Sequence, residues 1–396
     1  MRLWRICLQI LFGLSLFLLL HACQSQVTPT LDTESPQISS SNSSTRVLPP
    51  ETQALVMSVG KELYNPPRGE VRLVVISDLN GVYGATDYDP EVDKAIALLP
   101  FWQPDLVLCS GDMVAGQKLT LTEEQLNAMW IAFDEHVAAP LREAKIPYGF
   151  TIGNHDASSA KNLSGDFLFK QERTVAADYW NDPDHDPRLE FIDREFFPFY
   201  YTFKFQNIFF LAWDGSSSRI PPDKLAWVER ALESPEAQSA KLKILLGHLP
   251  LYAVTVGRDR SGEVMEDAEG LRAMLERHDV HTYISGHQHA YYPAYKGKLQ
   301  LLHTGILGSG PRPFINSQLP PRKALTVIDI DFSNRELTTY TTYDMQTLEL
   351  IEYEQLPRSI AGHNGMVLRR DVAPEDLTAS ERADCERRLS VELCRI

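Results

Sequence analysis

Positive charge is scarce in this sequence. Against 53 Asp and Glu stand 38 Lys and Arg, which leaves a formal net charge of -15 over 396 residues. A chain so acidic cannot readily neutralise a phosphate backbone, so no nucleic-acid binding is expected. It can still act on a small phosphate compound if metal ions reverse the local field. Cysteine is sparse too, at five residues. Cys7 and Cys23 lie at the N-terminus, Cys109 lies in an apolar run, and Cys385 and Cys394 lie near the C-terminus. Thiols so placed exclude a thiolate metal site. No disulfide scaffold is needed either, because a chain of this length with 43% hydrophobic residues can build a large core. No internal repeat is present.

The N-terminus carries an address. Arg2 and Arg5 precede an apolar run from Ile6 to Leu20, which ends at His21, Ala22 and Cys23. The run is short for a membrane span and closes on a small residue, as cleaved export signals do. Leu20-His21-Ala22-Cys23 resembles the lipobox of bacterial lipoproteins, in which Cys23 becomes the lipidated first residue of the mature chain. His21 departs from the small residues more common there. Residues 24–50 are rich in Ser, Thr, Gln and Pro and hold few large apolar side chains, the composition of a disordered tether. The expected organisation is a signal at 1–22, a tether at 23–50, a folded domain at 51–345 and a polar C-terminal extension at 346–396. The chain is then exported and lipid-anchored on the outer face of a bacterial membrane. In that oxidising setting Cys385 and Cys394 are a candidate disulfide.

From residue 71 onward short apolar runs alternate with helical stretches. Val71–Ser77, Leu106–Cys109, Tyr148–Ile152, Asn207–Trp213, Leu242–Leu246, Thr282–Ser285, Leu299–His303 and Leu325–Ile330 read as strands. Tyr200–Phe205 and Leu337–Tyr343 read as antiparallel edge strands. Pro90–Leu99, Thr122–Ala144, Asp223–Glu233 and Asp267–Arg277 read as helices, with Asp223 and Asp267 as N-caps. The alternation predicts an α/β core. Residues 157–199 form a long insertion, either a functional lid or a surface elaboration. In the C-terminal extension a helix is expected from about Pro374 to Leu389.

Five motifs stand where strands run out: Ser77-Asp78-Leu79-Asn80, Ser110-Gly111-Asp112, Gly153-Asn154-His155-Asp156, Gly247-His248 and Gly286-His287-Gln288-His289. Each puts Asp, Asn or His after an apolar strand, and four of them include a Gly. Strand ends of an α/β sheet converge on one edge, where ligand sites form. Carboxylate and imidazole together suit Zn, Mn or Fe. Any one motif alone is common in turns. Their joint order is specific, above all Gly-Asn-His-Asp with Gly-His-Gln-His.

That order resembles the calcineurin-like metallophosphoesterase superfamily, which includes purple acid phosphatases, over roughly residues 71–310. The resemblance implies a four-layer α/β/β/α sandwich with two mixed β-sheets. It implies hydrolysis of a phosphate mono- or diester by a hydroxide bridging two divalent ions (Mn, Fe or Zn, with Mg possible at the first site). By motif, Asp112 would bridge both metals, Asp78 and His289 would bind the first, and Asn154, His248 and His287 the second. His155 would contact the phosphate and protonate the leaving oxygen, with Asp156 orienting its ring. One position departs from the pattern: Asn80 stands where most members have a metal-binding His. Its amide oxygen remains a candidate ligand. An alternative follows from it, a non-catalytic exported lipoprotein that binds phosphate or metal through a weakened first site. Among the remaining residues, His303 lies near the end of a strand, His185 sits in the acidic insertion, and Arg258, Arg260 and Arg312 follow the later motifs as possible phosphate grips.

Overall fold

The structure is a computed structural model that describes residues 48–60, 62–334 and 336–396. Cys23 and the signal and tether at 1–47 lie outside the described residues. Among those described, no helix is long and apolar enough to cross a membrane.

Among the described residues fifteen strands build two sheets: β1 (Val71–Ile76), β2 (Leu106–Cys109), β3 (Tyr148–Phe150), β4 (Glu190–Phe196), β5 (Tyr200–Phe205), β6 (Ile208–Ala212), β7 (Leu242–Leu246), β8 (Thr282–Ser285), β9 (Tyr291–Lys296), β10 (Leu299–Thr304), β11 (Ala324–Ile330), β12 (Thr338–Asp344), β13 (Glu349–Leu350), β14 (Ser359–Gly362) and β15 (Gly365–Arg369). The first sheet runs β13-β12-β11-β1-β2-β3, and the second β14-β15-β9-β10-β8-β7-β6-β5-β4. Both are mixed. β1, β2 and β3 are parallel, as are β6, β7, β8 and β10, and the outer strands are antiparallel. The fold is the mixed α/β sandwich expected. β1, β2, β6 and β7 are buried along their whole length, which explains why they read as unbroken apolar runs and not as alternating ones.

The sheets meet across one apolar core. Tyr201 of β5 reaches across to β3: its hydroxyl donates to the Phe150 carbonyl (2.5 Å) and accepts from the Phe150 N–H (2.9 Å). Thr151 Oγ1 donates to the Trp213 carbonyl at 2.8 Å. These bonds pin the end of β3 against the end of β6.

Several expectations need correcting. Tyr200–Phe205 and Leu337–Tyr343 are not edges, because β4 and β13 pair outside them. β5 is buried on both faces over Tyr200–Phe203, whereas β12 is only partly buried. Asp223 is not an N-cap; the helix Pro222–Leu232 begins one residue earlier with Pro in its first turn, which costs no hydrogen bond. Asp267 does cap its helix, accepting from the Gly270 N–H. The stretch from Thr122 to Ala144 is helical but interrupted by a π-turn at Asp134–Ala138. Residues 346–396 are folded into the body, since β13 extends the first sheet and β14 and β15 extend the second. The tail helix is Ala379–Arg388, and Cys385 and Cys394 are joined by a disulfide. Cys109 is a buried free thiol.

The insertion at 157–199 is ordered by aromatic packing. Its helix Lys170–Asn181 buries Val175, Ala176, Tyr179 and Trp180 on one face, at the three- and four-residue spacing of an amphipathic helix. Trp180 stacks on Phe150 at 3.9 Å between centroids, and Trp130 stacks on Tyr179 at 4.8 Å. A buried side chain of that size stabilises by roughly 1.5–3 kcal/mol. The insertion is therefore a wedge fixed to β3.

Candidate metal centre

All five motifs leave the C-terminal ends of parallel strands at one edge. Asp78 and Asn80 follow β1, and Asp112 follows β2. Asn154, His155 and Asp156 follow β3, His248 follows β7, and His287 and His289 follow β8. The loops cross so closely that the motif glycines are required. A Cβ on Gly153 would strike the backbone nitrogen and carboxylate of Asp112, and one on Gly286 would strike Ser77 Oγ. Four of the acidic and imidazole residues adopt left-handed backbone: Asp78 (φ 49°), Asp112 (φ 56°), His287 (φ 65°) and His289 (φ 54°). Non-glycine residues held there cost on the order of 1–3 kcal/mol each in strained cases, and such strain gathers where side chains must be aimed.

Six side chains converge. Asp78, Asp112 and His248 are buried, with one ligand atom of each inside a 4.8 Å sphere of mutual distance. His248 Nε2 lies 2.8 Å from Asn154 Oδ1 and 3.2 Å from Asp112 Oδ2. His287 Nδ1 lies 2.9 Å from the same Asn154 oxygen. His289 Nε2 lies 3.2 Å from Asp78 Oδ1. Asp112 Oδ2 and His289 Nε2 are buried without completing a hydrogen bond. Buried polar atoms left unpaired are costly, and a cation held among these side chains would satisfy them. Oxygen and imidazole nitrogen are the donors that Mn, Fe, Zn or Mg accept. The residues present fit divalent metal. Asn80 is buried in the same loop, and among the described residues its side chain makes no hydrogen bond.

Behind the donors stands an outer layer that fixes their direction. The Nδ1 edge of His248 meets the Ser110 carbonyl at 2.8 Å, and that of His289 meets the Gly310 carbonyl at 2.9 Å, so in both rings Nε2 is aimed inward. Ser77 Oγ donates to Asp78 Oδ2 at 2.6 Å, Ser110 Oγ donates to Ser77 Oγ at 2.7 Å, and Ser110 Oγ pairs with Thr304 Oγ1 at 2.9 Å. Asn154 Nδ2 donates to Gln117 Oε1 at 2.8 Å, which turns the amide oxygen toward the two imidazoles. Glu263 Oε2 lies 2.8 Å from His287 Nε2, and Arg258 Nη1 lies 2.7 Å from His287 Nδ1, the nitrogen that also meets Asn154. None of Ser77, Ser110, Thr304, Gln117 or Glu263 was singled out from sequence. Glu263 lies in an irregular loop that carries no periodic signal.

Asp156 has a different role from the one expected. Its carboxylate accepts the backbone N–H groups of Asp112 (2.9 Å), Met113 (2.6 Å), Val114 (2.9 Å) and Gly153 (2.7 Å). It staples two motif loops together and does not orient the His155 ring. His155 Nδ1 meets the Gly116 carbonyl at 3.1 Å instead, and the ring packs at 5.2 Å from Tyr83. The reason is geometric: Asp156 and His155 leave the short helix Asn154–Ala157 in different directions, one buried and one half-open.

Burial would raise the Asp112 carboxyl, but the charges of His248 and His155 outweigh it and hold it below the usual range. Burial would lower the His248 imidazole, but Asp112 and Asp78 raise it to about 9. Burial and the Asp112 charge push Asp156 up to about 7, against the four N–H donors that favour its ionised form. Burial, Arg258 and the neighbouring imidazoles hold His287 well below its ordinary value.

Beside the centre opens a cavity of about 400 Å³ lined by Tyr83, Asn154, His155, Arg258, His287 and Arg312, among others. Arg258 is shared with Glu263 at 3.3 Å. Arg312 has a buried Nε without a partner and forms no ion pair among the described residues. Arg260 also lines the cavity but is largely exposed and pairs with Glu263. His303 does not reach the site: both ring nitrogens are buried without hydrogen bonds, and burial lowers its imidazole to about 3. His185 stacks on Tyr179 at 4.0 Å, in the insertion.

A family model for calcineurin-like phosphoesterases matches residues 71–291. The chain belongs to that family. It carries a calcineurin-like phosphoesterase domain, and Asp78, Asp112 and His248 form a candidate metal-binding cluster within it. Among solved structures it is similar to a purple acid phosphatase from yellow lupin (Lupinus luteus) seeds, at 17% identity and TM-score 0.51, over 74% of this chain and 56% of that one. This phosphoesterase thus spans little more than half of the lupin chain, and at that identity the likeness is one of fold. Two weaker likenesses are to GAP50, the anchor in the inner membrane complex of Plasmodium (14% identity, TM-score 0.45, 83% of this chain and 98% of that one), and to a putative 5'-nucleotidase from Staphylococcus aureus (12%, TM-score 0.38, 80% and 57%). No curated protein matches the chain at a significant level.

Proposed function

We propose that this phosphoesterase binds two divalent metal ions and hydrolyses a small phosphorylated substrate in the cavity beside them. The observation that carries the reading is the convergence of buried Asp, Asn and His side chains from five strand ends, with Asp112 Oδ2 and His289 Nε2 left without a hydrogen bond. Asp78, His289 and the amide oxygen of Asn80 would hold one cation, Asn154, His248 and His287 the other, and Asp112 both. When bound, such a pair supplies Lewis-acid stabilisation of phosphoryl charge and lowers the pKa of water. Asn80 makes the first site less basic than a histidine would, which favours Mn or Mg there.

The protein's own groups do the rest. Arg312, unpaired at the cavity wall, offers its guanidinium to phosphoryl oxygens, and Arg258 stands beside it. His155, held at Nδ1 by Gly116, presents its Nε2 edge to the cavity, where the protonated ring can give a proton to the departing alcohol. Asp156 keeps the two loops in register while this happens. The Asp112→Ala variant tests the reading: it should lose bound metal and turnover of an aryl phosphate together, and normal turnover in that variant contradicts it.

The same proposal places the mature chain outside a bacterial cell, anchored through lipid on Cys23. The basic start, apolar run and polar tether support it. Mass spectrometry of the membrane fraction should find a mature chain beginning at a diacylated Cys23; a chain that retains residues 1–22 contradicts it.

A further inference from the structure

A second cavity, of about 760 Å³, adjoins the first. The two share Ala160, Ser217 and Ser218 as lining residues, so one opens toward the other. Its far wall is aromatic: Phe167, Phe196, Phe199 and Tyr200 line it with Ile220. Phe196 and Phe199 are only partly buried, so their rings are left open to the cavity.

The rings are fixed, and fixed to the centre. Arg173 lies under two of them, with its guanidinium carbon 3.8 Å from the Phe199 centroid and 4.2 Å from that of Phe167. The same guanidinium donates to the Ala157 carbonyl at 2.8 Å and pairs with buried Asp214 at 2.8 Å. Ala157 closes the short helix that carries Asn154 and His155, and Asp214 follows β6. Lys224 sits 3.1 Å from the Phe196 centroid. Arg173 and Lys224 themselves line the cavity, and cations against aromatic rings stabilise them in place by about 0.5–1 kcal/mol each when exposed, and by more when desolvated. Ser159 and Ser217 bond to each other at 2.7 Å along the passage between the cavities.

We infer that this aromatic cavity, built by the 157–199 insertion, is the leaving-group subsite of the phosphoesterase, and that its substrates are phosphate esters of a large, apolar or aromatic alcohol. The inference rests on the hydrolase reading of the adjacent centre. A phosphoryl group beside His155 and Arg312 leaves its ester substituent to run past Ala160 and Ser217. A cavity in the roughly 300–1,000 Å³ range suits a drug-sized group, and here the aromatic wall offers apolar contact beside Lys161, Arg173, Arg219 and Lys224, which also line it. A small polar alcohol would leave these rings facing water. The aromatic insertion is thus a specificity element.

The test uses two esters on the metal-loaded chain, 1-naphthyl phosphate and glycerol 2-phosphate. In Phe199→Ala and Phe196→Ala the ratio of kcat/KM for the first over the second should fall about tenfold, the scale of losing apolar contact in a specificity pocket. A second measurement needs neither metal nor turnover. Calorimetry should detect 1-naphthol binding to the metal-free chain, weakened in both variants, and 1-naphthol should inhibit glycerol 2-phosphate hydrolysis. If both esters are hydrolysed, the ratio is unchanged and 1-naphthol does not bind, the subsite is overturned and the hydrolase reading stands. If neither ester is hydrolysed by the metal-loaded wild type, the hydrolase reading fails and the subsite with it.

Discussion

His248 shows how one residue couples fold, charge and metal. Its Nδ1 edge is fixed by the Ser110 carbonyl, and its Nε2 edge faces Asn154 and Asp112. In the metal-free chain Asp112 and Asp78 hold the imidazole proton up to about pH 9, above its ordinary 6.5. The stability this ion pair lends is fully present below 6.5 and is lost as pH climbs through 9. A metal must displace that proton, so uptake releases it to solvent. The apparent affinity for Mn should therefore rise with pH between about 6.5 and 9, approaching tenfold per unit for one proton. Calorimetric titrations in buffers of different ionisation enthalpy check both the slope and the proton count. An affinity flat across that range would mean the imidazole does not enter the metal's shell.

At the scale of elements, the helix Lys170–Asn181 joins the insertion to the centre. Buried Glu172 accepts the N–H groups of Gln117 (3.0 Å) and Lys118 (3.2 Å), and Gln117 in turn orients Asn154. Burial raises its carboxyl, and the two N–H bonds oppose the shift. Glu172→Ala leaves those donors unpaired, which should cost about 1–3 kcal/mol in urea unfolding. It should also weaken metal binding, because the Gln117 backbone, which carries the amide that orients Asn154, loses its anchor. Glu172→Gln, which keeps an acceptor, should recover part of both. Unchanged metal affinity in the alanine variant would show that Asn154 is held without this buttress. The strands were legible for a physical reason: those buried on both faces read as apolar runs, and their C-terminal ends carry the motif residues. β14 and β15 were missed although His363-Asn364-Gly365 includes an Asn-Gly turn signal, because the flanking runs are too short for a clear period. The outer layer of Gln117, Glu263 and Thr304 was illegible because it depends on loops that meet only in three dimensions. The role of Asp156 was misread because adjacency in sequence suggested a contact with His155, whereas the short helix turns the two side chains apart.

For the whole molecule, two sheets bring five loops from distant parts of the chain to one edge and hold their Asp, Asn and His side chains 2.8–3.2 Å apart. The aromatic insertion is welded to the same edge through Arg173. An acidic protein of net charge -15 thus places Arg312 and His155 at the cavity where an anion must enter. The account predicts that this arrangement is a two-metal hydrolase and not a binding protein, despite Asn80. The most direct measurement is elemental analysis of residues 48–396, purified and dialysed after loading with Mn, alongside hydrolysis of an aryl phosphate. Two metal ions per chain with turnover that chelation abolishes and Mn restores is the predicted result. One ion or none, with no turnover, would contradict it and favour a phosphate- or metal-binding lipoprotein.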